Sequence, residues 1–189
     1  MKTKIISEHG YEEAMLGLSL SYNTSVERAK EVAIRLAFKQ GGHNKYLESI
    51  YLWLDVTAPR FWWQEADTYR LSTKQSESTM HTILKKELTL DDFEHPIIEE
   101  TIADLNKLIE IYKNLETDIA KNVAFYTIKN NLPEGFLQRR IWVMNYKTLQ
   151  NIIMQRKSHK LPQWQCFIKE ILEQVEHPEF LEEKRYGEN

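Results

Sequence analysis

The sequence predicts an α+β fold, because two hydrophobic periods coexist in one chain. Residues over Glu48 to Val56, and again over Gly135 to Met144, alternate in type from one position to the next, as on a strand with unlike faces. Around them apolar residues recur at three and four, over Val26 to Ala37, Ile98 to Leu115 and Trp164 to Val175, as on helices with one buried face. With 189 residues and no internal repeat or low-complexity linker, the chain reads as a single domain, 1–189, closed by a mobile charged tail from about 181 to 189.

Composition narrows the partners. Apolar residues make up 42% and charged residues 28%, and the net charge of -3 gives no overall attraction to nucleic acid or to an acidic membrane. An anionic ligand must therefore be held by local cations. The single Cys166 has no internal disulfide partner, and no paired Cys/His spacing offers metal ligands, so we expect no metal and a reducing, cytoplasmic setting. The opening MKTKIISEHGYEE lacks the continuous apolar core of a signal peptide or membrane span.

In chain order, an apolar opening at Ile5 and Ile6 precedes a first helix near Tyr11 to Ser19. Thr24 and Glu27 have capping-box spacing and start the next helix, and Gly41 and Gly42 offer the left-handed residue that ends it. The strand over Glu48 to Val56 buries Ile50, Leu52, Leu54 and Val56, while Tyr51 and Trp53 on its other face call for a cover. Pro59 opens an amphipathic helix to about Tyr69, followed by a loop or short strand over Ser72 to Thr79 and a helical segment around His81 to Glu87. Pro96 starts the longest helix, whose stripe Ile98, Ile102, Leu105, Ile109, Tyr112 and Leu115 pairs with a helix from about Asp118 to Ile128 as a helical hairpin. The second strand ends at Asn145. A helix through Leu149 and Ile153 to about Lys157 follows, then Leu161-Pro162 and the last amphipathic helix.

The stretch from Pro59 to His81 mixes aromatic, acidic and arginine side chains with a dense run of Ser, Thr and Gln, which suits a ligand site and equally an amphipathic helix running into a polar loop. Three blocks decide between these. Gly42-His43 followed by Leu47-Glu48, then Thr68-Tyr69-Arg70 with Thr73, Gln75, Ser78 and Met80 at fixed offsets, then Leu132, Pro133, Gly135, Asn145, Lys147, Leu149, Arg156 and Gln163-Trp164, resemble in order and spacing the flavin-dependent thymidylate synthases. The resemblance spans about Gly42 to Trp164. It implies a small antiparallel sheet packed against several helices, the long hairpin among them.

The same resemblance implies a nucleotide site at Arg70, Gln75, Ser78, Lys147 and Arg156, with arginine forks gripping a phosphate, and a flavin site at His43, Thr73, Asn145 and Asn151. Asn145 also has the position of a helix cap. Arg139 and Arg140 are expected to be solvated at a strand edge. The family binds FAD and works with NADPH, methylene-tetrahydrofolate and deoxyuridylate, and the protein's part there is positioning and electrostatics. Ser49, Thr68 and Tyr69 replace residues through which the family holds flavin, and Met80 replaces an arginine that reaches the nucleotide phosphate. Two readings follow: an enzyme methylating deoxyuridylate or a related pyrimidine nucleotide, or a protein on the same scaffold that binds or sequesters a nucleotide, a role that suits a compact phage-type sequence. The expected assembly is a homotetramer, covering Tyr51, Trp53, Phe61, Trp62 and Trp63.

Overall fold

The computed structural model describes residues 1–39 and 41–183, with strands β1 (Lys2–His9), β2 (Tyr51–Pro59), β3 (Ser72–Ser76) and β4 (Leu137–Asn145) in one antiparallel sheet of order β1-β2-β4-β3. The helices are α1 (Tyr11–Tyr22), α2 (Val26–Leu36), α3 (Arg60–Ala66), α4 (Thr79–Thr82), α5 (Glu99–Asn114), α6 (Asp118–Asn131), α7 (Tyr146–Arg156) and α8 (Pro162–Leu172). The α+β architecture with its helical hairpin is the one the two periods predict.

The chain divides into two compact units. One takes Met1, Thr57–Ala66 and Ser76–Arg139; the other takes Lys2–Val56, Asp67–Gln75 and the chain from Arg140 onward. The first unit holds the hairpin. Ile102, Leu105 and Ile109 of α5 and Ile128 of α6 share a core with Ile83, Leu88, Phe93, Leu132 and Phe136, and Tyr112 packs on it half-buried. Thr117 caps α6, its side chain accepting from the Ala120 N–H. Pro96 lies outside α5, which begins at Glu99, and Ile98 is 68% exposed rather than part of the stripe.

Also in the first unit, α3 is shorter than expected and leaves Tyr69 outside it. Trp62 and Trp63 are fully buried and meet edge-on at 4.9 Å, and the Trp63 indole N–H donates to the Gln138 carbonyl at 2.9 Å. They therefore belong to the interior and cannot supply the intersubunit surface expected of them; an indole with its N–H satisfied buries a large apolar area. The helical segment expected around His81 to Glu87 is a single turn at Thr79–Thr82.

The second unit carries most of the sheet. β2 keeps the expected parity, with Leu52, Leu54 and Val56 buried and Tyr51 and Trp53 exposed, but it begins at Tyr51, because Lys45–Ser49 winds into a 3-10 helix. That turn is held by the Asn44 side-chain amide, which donates to the Ala37 carbonyl at 2.8 Å. β1 is a full strand where the sequence showed only Ile5 and Ile6, since its remaining residues are polar and its buried Thr3 gives no apolar signal. The cap of α2 is Ser25, which accepts from the Arg28 N–H, one residue after the expected Thr24; Glu27 then falls in the first turn, where its charge suits the helix dipole. Gly41 and Gly42 do adopt positive φ, but they lie beyond the end of α2, in the turn before the 3-10 helix. Phe180 and Leu181 are each 1% exposed, so the packed chain runs past the expected start of the tail; residues 184–189 lie outside the described residues.

Candidate functional site

Two adjoining clefts open in the second unit, and Glu48 lines both. The first, about 780 Å³, lies between α1 and the Gly41-Gly42-His43 turn, with Lys45, Ser49, Ser21 and Tyr22 on its walls. A Cβ at Gly42 would meet nothing within 4 Å, so the chain there faces open space on that side, while its carbonyl accepts from the Lys45 N–H at 3.2 Å. Gly10, at φ +93°, passes so close to the Ser49 carbonyl that a Cβ would sit 2.2 Å from its oxygen. Nothing in the sequence reading singled out Gly10; an isolated glycine before a helix is the only signal it offers.

The second cleft, about 560 Å³, is lined by the Thr68–Leu71 turn on one side and by Lys147, Thr148, Gln150, Asn151, Met154 and Gln155 of α7 on the other. Asn145 caps α7, accepting from the Thr148 N–H at 2.9 Å, which fixes where Lys147 and Asn151 stand one turn apart on its exposed face. The Thr148 hydroxyl donates to the Leu71 carbonyl at 3.2 Å, joining helix and turn. Beneath the cleft the Gln150 amide, 3% exposed, donates to the carbonyls of Ala37 and Phe180 at 2.9 and 2.7 Å. Gln150 was not foreseen as a structural member of the site.

Tyr69 is the packed member of the turn. Its hydroxyl donates to Gln155 at 3.0 Å and accepts from the Arg156 Nε at 2.8 Å, and its ring meets Trp164 edge-on at 6.1 Å. The Arg156 guanidinium stands 4.8 Å from the Trp164 ring centroid and 5.6 Å from that of Tyr69, within cation–π range of both. Arg156 thus braces a wall of the cleft from behind, through Tyr69, and does not itself line the cavity.

Of the expected site residues, the structure brings Arg70, Lys147 and Asn151 to one cleft and His43 to the other. Thr73 and Gln75 are exposed on β3, and Ser78 belongs to the other unit, where it precedes α4. Arg140 is not solvated as expected: its guanidinium holds both Asp67 oxygens, at 2.9 and 3.1 Å, and its side chain is only 14% exposed. Among the described residues no group of three His, Cys, Asp or Glu is arranged to hold a metal ion, and no helix is long and apolar enough to cross a membrane.

A third polar cluster lies where the C-terminal segment meets β1. The Tyr146 hydroxyl donates to Glu8 and accepts from the His177 N–H at 3.3 Å, Glu8 also accepts from the Glu176 N–H at 3.0 Å, and the His177 ring stacks on Tyr11 at 3.7 Å. Burial pushes the Glu8 carboxyl above its usual range, against the bonds from Tyr146 and Glu176, which lower it. Burial likewise raises the Tyr146 phenol.

The family described as thymidylate synthase complementing protein matches residues 6–178. Two solved structures of the flavin-dependent thymidylate synthase ThyX from Helicobacter pylori, each with FAD and dUMP, superpose with TM-scores of 0.74 and 0.75 at 19% and 20% identity. The superpositions cover 96% of this chain and 98% and 97% of those chains, so the fold is shared over nearly its whole length. No curated protein sequence matches the chain.

Proposed function

Because the chain belongs to the thymidylate synthase complementing protein family, we propose that its second cleft binds a pyrimidine nucleotide such as deoxyuridylate. The observation that carries this reading is that Arg70, from the turn after α3, and Lys147, from α7, line one cleft together with Asn151. Two cations lining one cavity attract a phosphate, and the arginine adds a planar fork of donors. Asn151 offers both a donor and an acceptor to a pyrimidine edge. The Helicobacter pylori structures hold dUMP on this fold.

The first cleft fits a flavin nucleotide in its donor set. Open, positive-φ backbone at Gly41 and Gly42, the Lys45 ammonium and the His43 ring suit a diphosphate, and Ser49 and Tyr22 add neutral hydroxyls. A bound flavin would supply hydride chemistry for methylation of deoxyuridylate, with NADPH and methylene-tetrahydrofolate as co-reactants. The chain's own residues bind and orient: Arg70 and Lys147 fix the phosphate, and Tyr69, braced by Arg156, walls the cleft.

A second reading has its own support. Ser49, Thr68 and Tyr69 are neutral, and Tyr69 is spent on internal bonds to Gln155 and Arg156. Hydrogen bonds to charged groups are worth about 1.5–3 kcal/mol each, so a flavin held without them is held weakly. We therefore favour a protein that is colourless as purified and that takes up the nucleotide more readily than the flavin. Absorption near 450 nm in the purified protein, or nicotinamide oxidation stimulated by deoxyuridylate, returns the full synthase activity. Failure of deoxyuridylate to raise the melting temperature rejects nucleotide binding in either form.

The assembly we propose is a homotetramer whose contacts cover Tyr51 and Trp53, which are 45% and 40% exposed in the single chain. Light scattering that returns a 22.5 kDa species at every concentration rejects it.

A further inference from the structure

In the Thr68–Leu71 turn, one wall of the second cleft, apolar packing rests on Tyr69, since Arg70 is exposed and Leu71 is 81% exposed. Beside the bonds from Arg156 and Thr148, a tie from within the segment comes from Lys74, the residue between Thr73 and Gln75. The Lys74 ammonium donates to the Tyr69 carbonyl at 3.3 Å and to the Ser72 hydroxyl at 3.2 Å, and Ser72 donates to that same carbonyl at 2.7 Å. The ammonium also sits 3.8 Å from Asp67 and 4.8 Å from the centroid of the buried Trp142 ring. Asp67 is held in turn by Arg140. The cation thus joins the two ends of the segment 67–74 from inside, with its side chain 10% exposed.

We propose that Lys74 is the positioning residue of this cleft, its ammonium clamping the Asp67–Lys74 loop onto Trp142 and thereby setting where Tyr69 and Arg70 stand. A buried ammonium needs all of its donors used and a counter-charge nearby. Tyr69, Ser72, Asp67 and the Trp142 face meet that need together, so the loop closes only when the cation is seated. Burial lowers the Lys74 pKa, with Arg140 adding to the fall and Asp67 opposing it, as befits a cation taken out of water at some cost. The clamp does not depend on the nucleotide reading; its consequence for ligand affinity does.

The test reads the loop directly, by trypsin. Cleavage after the exposed Arg70 requires the loop to open, and its rate follows the open population when closing is fast. Lys74→Met keeps the stem over Trp142 and removes the charge and all donors. It should speed cleavage after Arg70 by about tenfold or more, the scale of one hydrogen bond to a charged group, while cleavage after Arg35, in α2, stays at the wild-type rate. Lys74→Arg should restore slow cleavage, and Asp67→Asn should speed it with Trp142 packing untouched. Equal rates after Arg70 in wild type and Lys74→Met overturn the proposal, as does an acceleration shared by Arg35, which marks general destabilisation. In parallel, deoxyuridylate affinity should fall about tenfold in Lys74→Met, by the same principle. A wild type that binds no deoxyuridylate yet shows the charge-dependent cleavage strikes out the nucleotide reading and upholds the clamp.

Discussion

The helical hairpin and the second cleft are held together by opposite means. In the hairpin, Ile102, Leu105, Ile109 and Ile128 meet across α5 and α6 in an apolar core, so order follows from area removed from water. In the cleft, the wall at Thr68–Leu71 is ordered by a hydroxyl and a guanidinium reaching from distant positions and by the ammonium of nearby Lys74. The first kind of order is non-directional and tolerant of register; the second fails when one donor is lost. The difference predicts that hairpin substitutions cost stability and leave ligand affinity alone, whereas cleft substitutions lower ligand affinity and cost less stability.

The largest expected effect sits in the hairpin. Ile128, fully buried, should cost about 4 kcal/mol of unfolding free energy as Ile128→Ala, within the range for emptying a core site. Denaturant titration measures it, and deoxyuridylate affinity of the folded protein should be unchanged. Gly10→Ala is the exception that sharpens the rule. It belongs to the cleft-bearing unit, yet a Cβ there adds a left-handed penalty to a clash with the Ser49 carbonyl, together about 3 kcal/mol. The stability loss should come with weakened flavin uptake, since Ser49 lines the first cleft.

Arg156→Ala comes next. It removes the hydrogen bond to Tyr69 and the cation–π contacts with Tyr69 and Trp164, so stability should fall by about 1–2 kcal/mol and nucleotide affinity should fall as the Tyr69 wall loosens. Calorimetry of the variant in which affinity is retained would return Tyr69 to an independent packing role.

The contrast between the two regions also explains what the sequence could and could not tell. Hydrophobic period located α2, β2, the hairpin, β4 and α8, because each buries a regular stripe whose spacing is local. It missed β1, whose residues are mostly polar, and it set the start of β2 too early, because Glu48 and Ser49 happen to continue the alternation while the Asn44 bond to Ala37 winds them into a 3-10 turn. The cleft was partly legible: Arg70 and Lys147, both expected at a nucleotide site, line one cleft, but Asn151, expected at the flavin site, lines it with them. Tyr69 and Arg156, 87 residues apart, carry no periodic signal of their pairing, and neither does the approach of Gly10 to Ser49. Trp62 and Trp63 misled for a related reason. Composition shows a large aromatic side chain but not the carbonyl of Gln138 that lets Trp63 be buried.

The smallest effect concerns pH. The Glu8 pKa is raised in the folded chain, so its contribution to stability is fully present below the unfolded carboxylate range, about 4.3, and is lost as pH rises through the folded value. Glu8→Gln should therefore flatten the stability profile over that acidic window, in denaturant titrations across pH. A slope that survives in the variant assigns it to another carboxyl.

The central claim is that Arg70 and Lys147 make the second cleft a phosphate-binding nucleotide site. Titration calorimetry with deoxyuridylate, on the wild type and on the double substitution Arg70→Ala with Lys147→Ala, tests it most directly. The account predicts saturable binding by the wild type, loss of at least about a hundredfold in affinity in the variant, from two charge-assisted contacts, and a melting temperature without ligand that hardly moves. Equal affinity in the two proteins would contradict it.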